Sequence, residues 1–219
     1  MKGQTMKYIL FDLDGTLTES APGIINSIKH TYEHYGITDY DEAELSKYVG
    51  PPLIESFMRY CGFSREKASE AVDVYREYFS TKGLFENAVY DGIPECLGTL
   101  KNAGYHLAVA TSKPQVFCER ILEHFDLAKY FEVVKGIPLD GEDMTKAQVI
   151  SQALDALDVT DKSDSVMIGD RDYDVKGAKE NGIPCVGVLY GYGSREELAD
   201  AGAVAICKTV SALTEYLMK

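Results

Sequence analysis

Short apolar runs rich in β-forming residues alternate with amphipathic helical patterns along most of this chain. The apolar runs are Tyr8–Phe11, Tyr105–Ala110, Val166–Ile168, Pro184–Leu189 and, more weakly, Ala203–Ile206. The helical patterns between them cover Glu95–Ala103, Gln115–Phe125, Lys146–Leu157 and Val175–Asn181. This alternation is typical of βαβ units, whose strands lie side by side in a parallel sheet. We therefore predict an α/β fold built on a parallel sheet.

One segment interrupts this alternation, because residues from about Thr18 to Lys82 show helical patterns and no convincing strand. Ser20 and Pro22 begin a helix that Gly36 ends, and Ser64 begins a longer one. We predict a helical cap domain, residues 18–82, inserted into a core formed by residues 1–17 and 83–219. The insertion point directly follows the first predicted strand, so the cap is expected to cover the strand ends.

Composition restricts the partners and the compartment. The chain has 219 residues and a formal net charge of −13, which argues against nucleic acid because phosphate backbones require clustered Lys and Arg. The apolar run Tyr8–Phe11 is too short for a signal peptide or a membrane span. The five cysteines form no C-x-x-C pair, which favours small buried side chains in a reducing compartment. We expect a cytoplasmic protein without membrane contact, and the sequence does not indicate its oligomeric state.

Two aspartates, Asp12 and Asp14, directly follow the first predicted strand. Side chains at i and i+2 of an extended segment point the same way, so both carboxylates can reach one metal ion or one substrate. Gly15 allows the chain to turn closely around such a ligand. An EF-hand loop is the main alternative, but its twelfth position, which requires Glu, is Gly23 here.

Hydroxyl and ammonium groups follow at two further places. Thr111 and Ser112 end the second predicted strand, where hydroxyls and backbone N–H groups suit a phosphate oxygen. Taken alone, however, this pair is better explained as the N-cap of the following helix. Lys146 begins a helix after an irregular stretch from Lys135 to Thr145. A lysine there opposes the helix dipole, which indicates either a solvated surface charge or a side chain that pairs with an anion.

Three acids lie within five residues after the run Val166–Ile168. Asp170 follows the strand directly and is the strongest candidate for an oxygen ligand of a hard cation such as Mg²⁺. Asp172 and Asp174 are equally consistent with ordinary acidic residues in the first turn of a helix.

The combination indicates one reaction class. A carboxylate that approaches a phosphate meets repulsion of roughly 4 kcal/mol per charge pair at 4 Å and an effective dielectric constant near 20. A divalent cation at Asp12 and Asp170, with Lys146 opposite, would offset that repulsion. Asp14 could donate a proton to the leaving oxygen and later accept one from water. Formation and hydrolysis of an aspartyl-phosphate uses every part of the set.

The sequence resembles the haloacid dehalogenase superfamily, in its phosphoglycolate phosphatase-like branch. The motifs that carry the resemblance are Asp12-Leu-Asp-Gly-Thr-Leu17, Thr111-Ser112, Lys146 and Gly169-Asp170-x-x-x-Asp174. The resemblance implies a Rossmann-like three-layer sandwich with a mobile four-helix cap.

For the site, the resemblance implies that Asp12 is the nucleophile and a Mg²⁺ ligand. It implies that Asp14 is the general acid/base, with its backbone carbonyl on the metal, and that Asp170 is a further metal ligand. Thr111 or Ser112, together with Lys146, would hold the phosphate. Asp174 would hold the metal-binding residues in place without binding the metal itself. Lys113 is an alternative to Lys146, and Asp172 to Asp174.

The leading prediction is thus a Mg²⁺-dependent phosphatase of a small phosphate monoester, namely 2-phosphoglycolate, a nucleoside monophosphate or a sugar phosphate. A β-phosphoglucomutase-type phosphosugar mutase uses the same aspartate pair and remains the alternative. A non-catalytic binding protein is a third possibility, which the intact set Asp12, Asp14, Lys146 and Asp170 disfavours. Phosphoryl transfer to protein is a remote fourth.

Overall fold

The computed structural model describes residues 7–139 and 144–219. The predicted core assignment of residues 1–6, and residues 140–143 of the predicted irregular stretch, lie outside these residues. The described chain divides into two compact units. One contains the residues up to Thr18 together with Val89–Lys219, and the other is Glu19–Ala88.

The first unit is built on a six-stranded sheet in which all adjacent strands are parallel. The strands are β1 (Tyr8–Phe11), β2 (Thr18–Glu19), β3 (Ala88–Val89), β4 (His106–Pro114), β5 (Val133–Ile137), β6 (Ser165–Gly169), β7 (Cys185–Val188) and β8 (Ala205–Cys207). The six-stranded sheet has the order β5-β4-β1-β6-β7-β8, and β2 and β3 form a separate two-stranded sheet.

The central strand β1 lies where the strand order reverses. It pairs with β4 on one side and β6 on the other, so that Phe11 lies opposite both Val109 and Ile168. In doubly wound sheets, ligands bind beyond the carboxyl ends of the strands at this reversal. The residues that follow β1, β4 and β6 therefore lie where a ligand is expected to bind.

Helices cover both faces of the sheet. They are α4 (Ile93–Asn102), α5 (Gln115–His124), α6 (Lys146–Ala156), α7 (Asp172–Glu180), α8 (Arg195–Ala201) and α9 (Val210–Leu217). On one face, Leu10 of β1 and Met167 of β6 pack in a fully buried cluster with Val149 and Ile150 of α6. This packing holds the beginning of α6 beside the carboxyl ends of β1 and β6.

The second unit is helical. It contains α1 (Ala21–His34), α2 (Leu53–Cys61) and α3 (Arg65–Tyr78), a 3₁₀ helix at Glu42–Tyr48 and a π-helical turn at Phe79–Gly83. The buried hydroxyls of Tyr32 and Tyr48 lie 2.9 Å apart, and the Tyr48 hydroxyl lies 3.3 Å from Cys61 Sγ. Because these polar groups partner one another, they can be buried between the helices.

The predicted α/β fold with a parallel sheet and a helical segment is confirmed. Three details of the predicted strands and helices are wrong. The stretch from Lys135 is not irregular throughout, because Val133–Ile137 forms β5, and β4 continues past Ala110 to Pro114. In the helical unit, one of the four expected helices is a 3₁₀ helix.

None of the helices formed by residues 7–139 and 144–219 combines the length and apolar character needed to cross a membrane.

Candidate active site

Asp12 and Asp170 follow adjacent strands at the carboxyl edge of the sheet. Asp12 comes directly after β1, and its backbone N–H donates to the carbonyl oxygen of Ile168 at 2.9 Å. Asp170 comes directly after β6, which is parallel to β1 and paired with it. Two residues far apart in sequence are thus brought together by strand pairing alone.

Three carboxylates form a buried cluster at this edge. One oxygen from each of Asp12, Asp170 and Asp174 lies within 4.8 Å of the others. The three residues are 9%, 0% and 1% exposed. Carboxylates this close and this buried repel one another strongly unless positive charge lies among them.

Lys146 supplies one positive charge to the cluster. Its Nζ lies 2.7 Å from Asp12 Oδ1 and 2.7 Å from Asp174 Oδ1, and its side chain is 6% exposed. Although burial opposes its charge, the carboxylates of Asp12 and Asp174 raise the pKa of Lys146 above its usual value. The solvated-surface interpretation of this lysine is therefore wrong.

Local structure explains how Lys146 reaches this position. Thr145 caps α6, with its hydroxyl accepting from the Gln148 N–H, and the Gln148 side chain accepts from the Thr145 N–H. This capping box satisfies backbone donors at the helix start, where Lys146 is the first helical residue.

Lys113 pairs with the second aspartate of the motif. Its Nζ lies 2.8 Å and 3.0 Å from the two carboxylate oxygens of Asp14, and its side chain is 6% exposed. The side chain of Asp14 is 20% exposed. Asp12 and Asp14 thus each have their own lysine. The sequence marked Lys113 only as an alternative phosphate-holding residue, because a strand pattern does not indicate which carboxylate a long side chain will reach.

Thr111 and Ser112 lie within β4 and do not cap α5. That helix begins at Gln115 with Pro114 at the N-cap, so the capping interpretation is wrong. Thr111 is 1% exposed, and its hydroxyl accepts from the Lys113 N–H at 3.2 Å. Ser112 is exposed.

The structure distinguishes Asp174 from Asp172. Helix α7 begins at Asp172, three residues earlier than the predicted start at Val175. Asp174 is buried in the carboxylate cluster, and its Oδ2 accepts from the Arg171 N–H at 3.0 Å. Asp172 instead pairs with Lys176, one helical turn later.

The electrostatics of the site favour a bound cation. Burial, reinforced by Asp174 and Asp12, raises the pKa of Asp170 well above its usual range. Burial also raises the pKa of Asp174 to about 6, although Lys146 acts in the opposite direction. When Asp12, Asp14, Asp170 and Asp174 are all ionised, their negative charges exceed the positive charges of Lys113 and Lys146 by two, and a divalent ion would restore neutrality.

The donor set also fits such an ion. Asp170 Oδ1 is buried and has no hydrogen-bond partner within the described part of the chain. A buried oxygen without a partner is costly, and a cation would satisfy it. Hard divalent cations such as Mg²⁺ prefer carboxylate oxygens. The carboxylate cluster therefore fits Mg²⁺.

Comparison with known proteins agrees with this geometry. The family model described as haloacid dehalogenase-like hydrolase matches residues 9–188. The crystal structure of a predicted phosphatase from Clostridium acetobutylicum has a TM-score of 0.93 and 51% identity, over 98% of this chain and 99% of that one.

Three curated relatives carry different names. A 5'-nucleotidase of Pseudomonas aeruginosa is 42% identical over 219 residues, covering 99% of each chain. The tyrosine-protein kinase PtkA of Mycobacterium tuberculosis is 39% identical over 97% of this chain and 72% of its own length. A phosphoglycolate phosphatase of Colwellia psychrerythraea is 30% identical over 92% of each chain.

Proposed function

The chain belongs to the haloacid dehalogenase-like hydrolase family and is a phosphatase, and on this basis we propose that it hydrolyses small phosphate monoesters with Mg²⁺ through a phosphorylated Asp12. The observation that carries the proposal is the buried set of Asp12, Lys146, Asp170 and Asp174. An orphaned carboxylate oxygen and an excess of negative charge are what a divalent ion would satisfy.

The residues that would hold Mg²⁺ are Asp12 and Asp170, together with the backbone carbonyl of Asp14. Bound there, the ion supplies positive charge against the repulsion between the Asp12 carboxylate and a phosphate dianion. Asp174 holds Lys146 through their ion pair and lies beside the metal-binding carboxylates of Asp12 and Asp170. Thr111, Ser112 and Lys146 hold the phosphate oxygens.

The reaction proceeds in two displacements at phosphorus. Asp14 first takes up a proton from solvent. The Asp12 carboxylate attacks phosphorus, the bond to the ester oxygen breaks, and protonated Asp14 gives its proton to the leaving alcohol. Asp14, now deprotonated, takes a proton from water as that water attacks phosphorus. The bond to Asp12 breaks, inorganic phosphate leaves, and both aspartates return to their starting states.

For the substrate, we propose a nucleoside 5'-monophosphate first, because the 5'-nucleotidase relative is 42% identical over the full length of both chains. Phosphoglycolate and sugar phosphates come next, and the helical domain, residues 18–82, is proposed as the cap that selects among them. A cytoplasmic location is proposed on the predicted reducing environment.

The test is release of inorganic phosphate from AMP, 2-phosphoglycolate and glucose 6-phosphate, with Mg²⁺ and with EDTA. The wild type should release phosphate only with Mg²⁺, and Asp12→Asn should lower kcat at least about 1,000-fold. Asp172→Asn is the matched control, because Asp172 lies outside the carboxylate cluster, and it should retain activity. Full activity of Asp12→Asn would refute the proposal. Isomerisation of β-glucose 1-phosphate without phosphate release would instead favour the mutase.

Phosphoryl transfer to protein tyrosine is a second candidate, favoured by the 39% identity with PtkA. Incubation with ATP and a tyrosine-containing peptide tests it. A phosphorylated peptide would support this candidate, whereas phosphate release from AMP without peptide labelling would reject it.

A further inference from the structure

The loop Tyr190–Gly193, between β7 and α8, contacts Asp170 through its backbone. The Tyr192 N–H donates to Asp170 Oδ2 at 2.7 Å. This donor fixes one oxygen of a carboxylate whose other oxygen, Oδ1, has no hydrogen-bond partner among residues 7–139 and 144–219. The two oxygens of Asp170 therefore have different environments.

Steric crowding requires glycine at the positions on either side of Tyr192. A Cβ on Gly193 would lie 1.8 Å from the carbonyl oxygen of Asp170, and a Cβ on Gly191 would lie 2.5 Å from Asp170 Cβ. Neither glycine has a φ in the left-handed region, so their own backbone conformation would admit alanine. The close approach to Asp170 is what excludes a side chain at these positions.

A third glycine encloses the same carboxylate from the motif after β1. A Cβ on Gly15 would lie 2.3 Å from Asp170 Oδ2, and this residue has a φ of +80°. The carbonyl oxygen of Gly15 would in turn lie 2.2 Å from a Cβ on Gly191. Backbone from two separate loops thus surrounds the Oδ2 side of Asp170.

We propose that the loop Tyr190–Gly193 is a positioning element that fixes Asp170 and directs Oδ1 towards the divalent cation. Gly191, Gly193 and the backbone N–H of Tyr192 are its positioning groups. The proposal rests on the proposed function, because it assumes that Asp170 is a ligand of Mg²⁺.

The physical basis is the rotation of the carboxylate. A short hydrogen bond to Oδ2, combined with close packing around it, restricts rotation about the Cβ–Cγ bond. Oδ1 is then held in one direction before the ion binds, so less conformational entropy is lost on binding. Groups that orient metal ligands in this way typically change metal affinity 10–100-fold when they are removed.

The experiment is calorimetric titration of the purified full-length chain with MgCl₂, without substrate. An ester in place of the Gly191–Tyr192 amide removes the N–H and keeps every side chain. It should weaken Mg²⁺ binding about 10–100-fold. Tyr192→Phe keeps the N–H and should bind Mg²⁺ like the wild type.

Alanine variants give a second test. Gly193→Ala should weaken Mg²⁺ binding, and its kcat should recover at saturating Mg²⁺, which a general folding defect would not allow. Gly98→Ala is the matched control, because a Cβ there would lie 3.8 Å from Tyr130 in ordinary contact.

The outcomes separate the two proposals. Equal Mg²⁺ affinity of the wild type and the ester variant would overturn the positioning role and leave the proposed function intact. Absence of Mg²⁺ binding by the wild type would overturn both the metal site of the proposed function and this inference.

Discussion

At the scale of single residues, the site depends on two buried lysines that neutralise different aspartates. Lys146 lies between Asp12 and Asp174, and Lys113 contacts both carboxylate oxygens of Asp14. Direct contact with carboxylates offsets part of the cost of burying each ammonium group. The same contacts would keep the aspartates in place for the proposed reaction.

Lys146→Met should remove the charge between Asp12 and Asp174 and leave two buried carboxylates unneutralised. We expect a loss of about 3–5 kcal/mol in the free energy of unfolding in EDTA, measured by urea denaturation. Adding Asp174→Asn to this variant should restore part of the stability and none of the phosphatase activity. Unchanged stability of Lys146→Met would contradict the ion-pair account.

Lys113→Met should lower both stability and kcat. The loss of a charged hydrogen-bond partner for Asp14, whose side chain is only 20% exposed, is expected to cost about 2 kcal/mol. Lys176→Met is a matched control, because its partner Asp172 lies outside the carboxylate cluster, and it should change neither quantity appreciably. Equal effects of the two variants would show that Lys113 has no special role at Asp14.

The sequence predicted most of the residues that the structure brings together. Asp12, Asp170, Asp174 and Lys146 form one contact group, as strand ends on a common edge suggested. Their catalytic roles remain predictions. The pairing of Lys113 with Asp14 was not predicted. The two residues are far apart in sequence, and their contact depends on the pairing of β1 with β4, which no local pattern indicates.

At the scale of secondary-structure elements, the positions of the groups depend on where helices begin. Thr145 caps α6 directly before Lys146, and Thr209 caps α9 through the same kind of hydrogen bond from Ala212. The first cap supports a site residue and the second does not. The two threonines therefore separate local helix stability from effects on the site.

Thr145→Ala and Thr209→Ala should each lower the free energy of unfolding by about 1 kcal/mol. Only Thr145→Ala should also lower kcat, because it loosens the helix start that holds Lys146. Thermal denaturation and phosphate release measured on both variants give the comparison. A similar loss of kcat in both would refute the link between the α6 cap and the site.

Strand prediction succeeded where apolar residues are continuous and failed where they are not. β1 and β6 are buried on both faces and appear in the sequence as apolar runs. β5 lies at the edge of the sheet and contains Lys135 and Gly136, which hid it from the pattern. Its pairing with β4 is long-range information that local propensity does not contain.

At the scale of the whole molecule, an acidic protein with a formal charge of −13 has to concentrate positive charge where it binds an anion. Mg²⁺ at the carboxylate cluster would provide that concentration. It would also link metal binding to folding, because the ligands come from different strand ends that are assembled only in the folded chain.

Mg²⁺ should therefore stabilise the whole chain. At a concentration 100 times its Kd, we expect the free energy of unfolding to rise by about 2.7 kcal/mol, measured as an increase in Tm. Asp170→Asn should abolish the increase, whereas Asp172→Asn should retain it. An equal increase in both variants would show that the ion binds elsewhere.

The most direct test of the account is to trap the phosphorylated enzyme. Acid quenching during turnover of the preferred substrate, followed by mass spectrometry of the peptides, should locate one phosphoryl group on Asp12. With 4-nitrophenyl phosphate, whose leaving group needs no proton from Asp14, the Asp14→Asn variant should accumulate this species, because it lacks the base that activates water. A phosphoryl group on another residue, or turnover without any phosphorylated Asp12 in either protein, would contradict the central claim.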